Sequence, residues 1–532
     1  MTDSVFRVNQ LGYSVSLPKH VVVLREGTVT VTDMAGHEMR RLETGPLHFD
    51  ECTGDRAAML ELGDLPAGKY TLELGGATQT VTVSEKPYSA LVRALIKGLY
   101  YQRCGTELRP EHAGRWTHAA CHTAQAALYS DPDVLLNVQG GWHDAGDYGK
   151  YIGPGAVTVG HLLYTAQLFP KASLSGLNIP ESGNGVPDIL NETRYELDWM
   201  LKMQREDGAV PHKLSKKHFA AFIMPEEDTE QEYVMPVGQC ATAGFAACMA
   251  LASRVWKTID PDFSVRTLEA AVRAWNWLEQ NPVLIPWKNP DDVHTGGYGD
   301  NCMTDELFWA GCELFAATGD DRYAEDLEFR AKQIDISQMG WREVGGLGSL
   351  CCLFELNRKL DPDFLDWLRN RFLRAADRAL NTVSQSVYGT ALGSMEYIWG
   401  SNLTVLSRGM ILICGWKLTA DDRYLNAAVN QLNYLLGMNT LDISFVTGFG
   451  TRPFMHPHHR PSGADGIEDP VPGLVSGGPN NRFTYGITKE KLPPDTPPAR
   501  SYLDETPSAD TNEIAIYWNS PAVFVAACLD TI

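Results

Sequence analysis

The sequence predicts a small all-β sandwich followed by a much larger all-helical domain. Three observations carry this: period-two alternation confined to the N-terminal segment, a helical period beyond it, and two turn sequences that recur at one offset. From Val5 to about Glu85, β-branched residues alternate in VFRVNQLGY, HVVVLRE, TVTVTDM, KYTLELGG and TQTVTVSE, separated by turn residues such as Ala35-Gly36 and Ala67-Gly68. Short alternating strands at this spacing indicate a β-sandwich. The segment Lys86-Pro87-Tyr88-Ser89 marks the boundary, dividing the chain into residues 1–86 and 87–532.

In the second part Phe364, Leu368, Phe372, Ala376 and Leu380 recur every four residues, and Leu268, Val272 and Trp275 do likewise. Pro187 opens a similar run carrying Ile189, Leu197 and Leu201. The tetrapeptide DPDF at Asp260 and Asp361, and DDRY at Asp320 and Asp421, share an offset of 101 residues. Equal offsets predict a repeated helical hairpin, in an array that is open or closed into a ring. Convincing strands are scarce there. From about Thr447 to Asn512 the chain is rich in Pro, Gly, Asn and His without periodicity, which in a compact domain marks a functional surface.

Composition narrows the function. Acidic residues outnumber basic ones, 66 to 45, so a phosphate-tracking surface and a nucleic-acid partner are excluded from the leading readings, and a neutral polymer fits better. Of eleven cysteines, Cys240, Cys248, Cys312, Cys351, Cys352 and Cys414 lie in apolar, helix-like runs and read as small buried hydrophobes of a reducing compartment. MTDSVFRVNQ has no basic stretch followed by an apolar one, and no apolar run is long enough to span a bilayer. The expectation is a cytoplasmic protein as given, secreted if a leader has been removed, with no membrane contact.

The densest cluster of chemistry is Gly140-Gly141-Trp142-His143-Asp144-Ala145-Gly146-Asp147-Tyr148. Two carboxylates three residues apart in a tight loop can converge on one water, one accepting its proton while the other orients it. The same pattern suits an Asx-rich turn with solvated carboxylates. Glu513, among Ile514, Ile516 and Trp518, would have its charged form disfavoured by burial, as a general acid requires. The alternative is an exposed glutamate at a helix start.

Cys104, Cys121, His122 and His143 offer two thiolates and two imidazoles, a closed tetrahedral zinc set with no open position. Their spacing is not that of a finger or ribbon, so buried cysteines beside unrelated histidines are the competing reading. Met455-His456-Pro457-His458-His459-Arg460 reads as a rigid rim that donates hydrogen bonds to hydroxyls, or as a metal or surface His cluster. Glu181, Asn184 and Asp188, and separately Asp300, Asp305 and Glu306, are oxygen-rich and suit calcium, although each set also contains a helix N-cap. Trp142, Trp399 and Tyr517 are candidate sugar-stacking platforms, with core packing as the rival.

Together these motifs resemble glycoside hydrolase family nine, the endoglucanases with an N-terminal immunoglobulin-like domain before an all-α (α/α)6 barrel. FRVNQLGY, YYQRCG, GGWHDAGDYGKY, GNGVPDILNE, TDELFWA, GFGTRPFMHPHHR and PGLVSGGPN follow in the family's order along nearly the whole chain. The resemblance implies Asp147 as general base, Asp144 as its water-positioning partner and Glu513 as proton donor. It implies substrate contacts at His458 and Arg460, with Asp504 as the acidic residue before the donor. It also implies structural zinc on Cys104, Cys121, His122 and His143, and one or two structural calcium ions. Ala509 stands where the family usually has an aromatic, and Tyr517 where a smaller polar residue is common; both lie beside the acid and bear on substrate position and chain length.

The implied reaction is inverting hydrolysis of β-1,4-glucosidic bonds in cellulose, cellodextrins or related β-glucans by a monomer, with Asp147 and Glu513 roughly 6.5–9.5 Å apart to admit a water. The competing readings are an exo-acting β-glucosidase or glucosaminidase on short oligosaccharides, a non-catalytic carbohydrate-binding protein, and a zinc hydrolase.

Overall fold

A computed structural model describes residues 4–532. The N-terminal part is a sandwich of two sheets. One runs Phe6–Arg7, His20–Val23, Asp55–Glu61, His48–Asp50; the other runs Tyr13–Ser14, Ala77–Ser84, Gly68–Leu74, Thr28–Asp33, Glu38–Glu43. Alternation decides which side chains go inward: Val29 and Val31 are buried on one strand, opposite Tyr70 and Leu72 on the next, with Val21, Val23, Val81 and Val83 completing the core. Because the side-chain period is two, a one-residue slip would turn this whole set to solvent. The last strand ends at Ser84 and the first helix begins at Ser89, on either side of the expected boundary.

The rest is an (α/α)6 barrel. The inner helices are Ile152–Leu168, Gln239–Trp256, Thr304–Thr318, Gly345–Leu350, Ser401–Thr419 and Ile516–Asp530. Their outer partners are Asp188–Met203, Pro261–Gln280, Leu327–Ala331, Pro362–Gln385, Asp422–Leu435 and, for the last, Ser89–Tyr100. Inner helices are apolar around most of their circumference and every residue of Ile516–Asp530 is buried, whereas Pro362–Gln385 buries only the stripe led by Phe364, Leu368 and Phe372. The recurring tetrapeptides open the outer layer. Asp260 and Asp361 accept from the N–H groups of Phe263 (3.1 Å) and Phe364 (3.0 Å) with proline in the first turn, and Asp320 and Asp421 cap in the same way before Arg322 and Arg423. Pairing of Ile516–Asp530 with Ser89–Tyr100 closes the ring, and the same helix packs on Ile152–Leu168 and Ser401–Thr419.

One feature departs from the sequence reading. A third sheet joins Ala126–Leu128, Asp131–Leu136, Lys150–Tyr151, Lys213–Ser215 and Tyr233–Val234 in the barrel's loops. Four of these strands have two or three residues and carry no readable period, and the fifth, Asp131–Leu136, is exposed along almost its whole length, so alternation could not reveal them.

The sandwich is fastened to the barrel by polar contacts. Asp55 accepts from Arg500 Nη2 (2.5 Å), the Tyr388 hydroxyl (2.5 Å) and Thr440 Oγ1 (2.7 Å), and Asn9 Nδ2 donates to Asn433 Oδ1 (2.8 Å). Asp55 thereby grips the irregular segment leading to Glu513. Among the described residues no helix is long and apolar enough to cross a membrane.

Candidate active site

The loop that carries Asp144 and Asp147 is held from beneath by an ion group centred on the buried Arg103. Arg103 donates to Glu192 (3.0 and 2.8 Å) and Glu181 (2.9 and 3.0 Å) and lies over the Tyr195 ring. Bidentate pairing satisfies the fully buried Glu192 carboxylate and the partly exposed Glu181 carboxylate. Trp142, expected as a stacking platform, is 1% exposed; its ring N–H donates to Glu192 (2.9 Å) and its backbone N–H to Glu196 (2.7 Å). It is a core residue, and that expectation is corrected. The first calcium set is also corrected. Glu181 is taken by Arg103, Asp188 accepts from the N–H groups of Gly176 and Leu177 (2.9 Å each) and the Ser182 hydroxyl (2.8 Å), and Asn184 exchanges bonds with Asn191. Both Glu181 oxygens and Asp188 Oδ2 are thus taken by the protein's own donors.

Beyond Trp142 the chain turns sharply into Asp144 and Asp147. Asp144 is 1% exposed; its Oδ2 accepts from the Tyr298 hydroxyl (2.5 Å), while Oδ1 is buried without a partner among the described residues. Burial pushes its carboxyl well above the usual range, and the neighbouring Asp147 adds to this, against the Tyr298 bond. Asp147 opens onto the cleft and accepts from the Gly149 N–H (3.0 Å) through one oxygen.

Glu513 arrives from the far end of the chain. Its main chain is clamped between two segments: His458 N–H donates to Asn512 O (2.9 Å), Gly477 N–H donates to Glu513 O (2.8 Å), and His458 bridges Glu513 directly. Its carboxyl faces the same cavity as Asp147, a cleft of about 570 Å³. Burial holds that carboxyl well above the usual range, reinforced by the charges of Asp147 and Asp144 and offset in part by Arg460 and the Gly146 N–H.

Arg460 ties the two halves together, with Nε donating to Ala220 O (2.8 Å) and Nη1 to Gly146 O (2.8 Å). His458 also lines the cleft. Its Nδ1 lies 2.7 Å from Thr506 O and so must carry the hydrogen, and burial lowers its pKa. The neutral ring therefore offers Nε2 as an acceptor, which revises the expected donor role. Asp504 is corrected too. Its carboxylate accepts from the N–H groups of Met455 (2.7 Å) and His456 (2.8 Å) and from Asn512 Nδ2 (3.1 Å), so it braces the rim and is absent from the cleft wall. Trp399 and Tyr517 do line the cleft.

Wall residues that the sequence reading did not single out include Tyr151, Phe219, Tyr298, Trp341, Leu403 and Tyr485. Tyr298 sits in the Gly-rich turn GGYGDN at φ 44°, where no periodicity could single it out.

Two groups of side chains are arranged as metal ligands. Cys104, Cys121, His122 and His143 bring their ligand atoms within 4.8 Å of one another. His122 Nδ1 and His143 Nε2 are buried without partners among the described residues, while His122 Nε2 bonds Asp228 (3.2 Å), the outer partner a metal-bound imidazole needs. The other group sits at the start of Thr304–Thr318. Asp300 Oδ2, Asp305 Oδ1 and Glu306 Oε2 are buried and unpartnered among the described residues, and Cys240, missed from sequence, adds its sulfur within 4.8 Å of Asp300 and Glu306. Buried, unpaired carboxylates fit a cation.

Residues 88–526 match Glycosyl hydrolase family 9. A cellodextrinase of Butyrivibrio fibrisolvens is 36% identical over 541 residues, covering 97% of this chain and 98% of that protein. A xyloglucan-specific endo-beta-1,4-glucanase of Bacteroides ovatus is 34% identical, covering 100% and 94%. Among solved structures, that of AaCel9A in complex with cellobiose-like isofagomine superposes with a TM-score of 0.94 at 33% identity, over 99% of this chain and 100% of that one. With paired carboxylates facing one cleft on this barrel, the chain belongs to glycosyl hydrolase family 9 and is a glycoside hydrolase.

Proposed function

We propose that the protein is an inverting endo-β-1,4-glucanase acting on cellulose, cellodextrins or related β-glucans. One observation carries the assignment: Asp147 and Glu513, from opposite ends of the barrel sequence, face a single cleft, and burial raises the pKa of Glu513 in the direction a proton donor needs. In the reaction Glu513 gives its proton to the glycosidic oxygen as the bond from that oxygen to the anomeric carbon breaks. Water attacks the same carbon from the opposite face and loses a proton to Asp147. Asp144, fixed by Tyr298, accepts a hydrogen bond from the water's second O–H, which stays intact, and so aims the attacking lone pair. His458 and Arg460 hold hydroxyls of the bound sugar.

Hydrolysis of cellohexaose, followed by chromatography and by NMR of the new anomeric centre, tests this. Internal cuts giving the α-anomer are expected. Release of single sugars from one end would establish the exo-acting alternative, and β-anomers would establish retention.

The Cys104, Cys121, His122 and His143 group fits zinc, which would supply a structural cross-link with all four positions filled by protein. It would fix the loop that begins at Gly140 and carries both aspartates. Asp300, Asp305 and Glu306 would hold calcium and tether the turn bearing Tyr298. Chelation of the purified protein is expected to lower Tm, since a ligand bound only by the native state stabilises it, while early-time activity on short substrates persists. Immediate loss of activity without any change in Tm would refute the structural assignment.

A further inference from the structure

The charges of Asp147 and Asp144 both act on Glu513, so three carboxyls compete for ionisation in one small region. Arg460 offsets this on the Glu513 side. On the Asp147 side stands Lys213, 0% exposed on the strand Lys213–Ser215. A lysine ordinarily carries its ammonium out to water. Here Nζ donates to Asn289 Oδ1 (2.9 Å), Thr295 Oγ1 (2.9 Å) and Gly296 O (2.6 Å). Three acceptors match the three hydrogens of an ammonium. All three are neutral, and a buried charge is costly without a carboxylate partner. Burial pushes the Lys213 pKa down to about 7, against the opposing charge of Asp147.

The fold brings this ammonium close to the proposed base. Tyr151 pairs with Lys213 across the two strands, and its ring centroid lies 5.4 Å from Nζ. A Cβ at Gly149 would meet both Tyr151 Oη (2.7 Å) and Asp147 Oδ2 (2.9 Å), and one at Gly296 would meet Tyr151 Oη (2.8 Å). The tyrosine hydroxyl therefore sits between the Asp147 carboxylate and the peptide that holds Lys213. The remaining neighbours of Asp147 supply little positive charge. Burial raises the pKa of Tyr151 and Tyr517 well above the usual range, so both stay neutral, and it lowers that of His458. A small recess beside Asp147 holds His122, Lys216, His218, Asp228 and Glu232. Lys216 and His122 both bond Asp228 there, so their charge is spent locally.

We infer that Lys213 is a positioning residue for hydrolysis: the field of its buried ammonium keeps Asp147 ionised beside two other carboxyls. The inference rests on Asp147 being the general base. A nearby cation favours the charged form of a carboxyl, and low local polarity strengthens the effect. Lys213 is charged below about pH 7, so its influence covers the acid limb of the rate profile, where the base takes up its proton. A purely structural role is the competing account, because Asn289, Thr295 and Gly296 lie in the segment that leads to Tyr298.

The test is the pH dependence of kcat/KM on cellohexaose, a substrate that does not itself titrate, so the limbs belong to the protein. Lys213→Gln keeps hydrogen-bond donors and loses the charge; its acid limb is expected to move up by about one pH unit. Lys213→Arg keeps the charge and should leave the limb at its wild-type position. A lowered plateau with an unmoved limb in Lys213→Gln, or an equal displacement in Lys213→Arg, would overturn the inference in favour of the structural role. Should melting curves show that Lys213→Gln does not fold, Thr295→Val removes one acceptor from the ammonium without enlarging the side chain. Its limb is expected to move in the same direction by a smaller amount, and an unmoved limb there would equally overturn the inference. Near-normal hydrolysis of cellohexaose by Asp147→Asn would instead overturn the assignment of the base, so the two failures are distinguishable.

Discussion

Glu513→Gln is expected to lower kcat on unactivated β-1,4-linked oligosaccharides by about 10²–10⁴-fold while leaving their binding nearly intact, as measured by calorimetric titration with cellotetraose. The amide keeps the shape and the hydrogen-bonding capacity but has no proton to give. The pH dependence has a defined sign. Glu513 must be protonated, and its pKa is raised by burial and by the negative charges of Asp147 and Asp144, so activity persists to unusually high pH and is lost as pH rises through that value. The same shift bears on stability. A carboxyl whose pKa is higher when folded binds more protons in the native state, so stability declines as pH rises from the unfolded value of about 4.3 toward the folded one. Glutamine cannot ionise, so the variant should melt at or above the wild-type temperature at neutral pH, with the difference vanishing below about pH 4. A lower Tm at neutral pH, or near-normal turnover, would remove Glu513 from the role.

Gly146→Ala is expected to be the most damaging of the smallest changes. Backbone conformation is not the reason, since Gly146 does not occupy the left-handed region; close approach is. A Cβ at 146 would lie 2.0 Å from the His458 carbonyl oxygen, and neither side can yield easily. Gly146 O accepts from both the backbone N–H (3.0 Å) and Nη1 (2.8 Å) of Arg460, and the His458 strand is bridged to Glu513. Relief of the clash must therefore separate the aspartate loop from the acid. Overpacking of this kind costs about 1–3 kcal/mol, read as a lower urea midpoint. Displacement of the carboxylates should reduce kcat/KM by about 10²-fold. Gly153→Ala is the control: nothing lies within 4 Å of a Cβ there, so folding and activity should match wild type. Normal kinetics in Gly146→Ala would show that the loop and the acid are not mechanically joined.

How much of this was legible beforehand depended on how each residue does its work. Asp144 and Asp147 stood out because two carboxylates lie three residues apart beside glycines, whereas Glu513, the rim histidine and the widely spaced thiolate and imidazole set stood out only through the order of motifs along the whole chain. The outer helices could be read from their stripes and their Asp-Pro caps. Trp142 misled because an aromatic beside a catalytic loop looks the same whether it meets sugar or, as here, Glu192. Asp504 and Glu181 misled for a related reason: their partners, backbone N–H groups and Arg103, come from elsewhere in the chain. Tyr298, Trp341 and Tyr485 were invisible because irregular segments carry no period, and only folding brings them to one wall. Cys240 was legible as a buried thiol but not as a neighbour of Asp300 and Glu306, which a distant helix supplies.

The ring is sealed by the pairing of Ile516–Asp530 with Ser89–Tyr100. During synthesis, which delivers the N-terminal part first, the sandwich can form early, but the barrel is left with an open apolar seam until the final helix emerges. Glu513, the proposed proton donor, is borne on that same late-arriving stretch. A nascent or prematurely halted chain is thus both sticky and inert, and hydrolytic competence appears in one step with the disappearance of the seam.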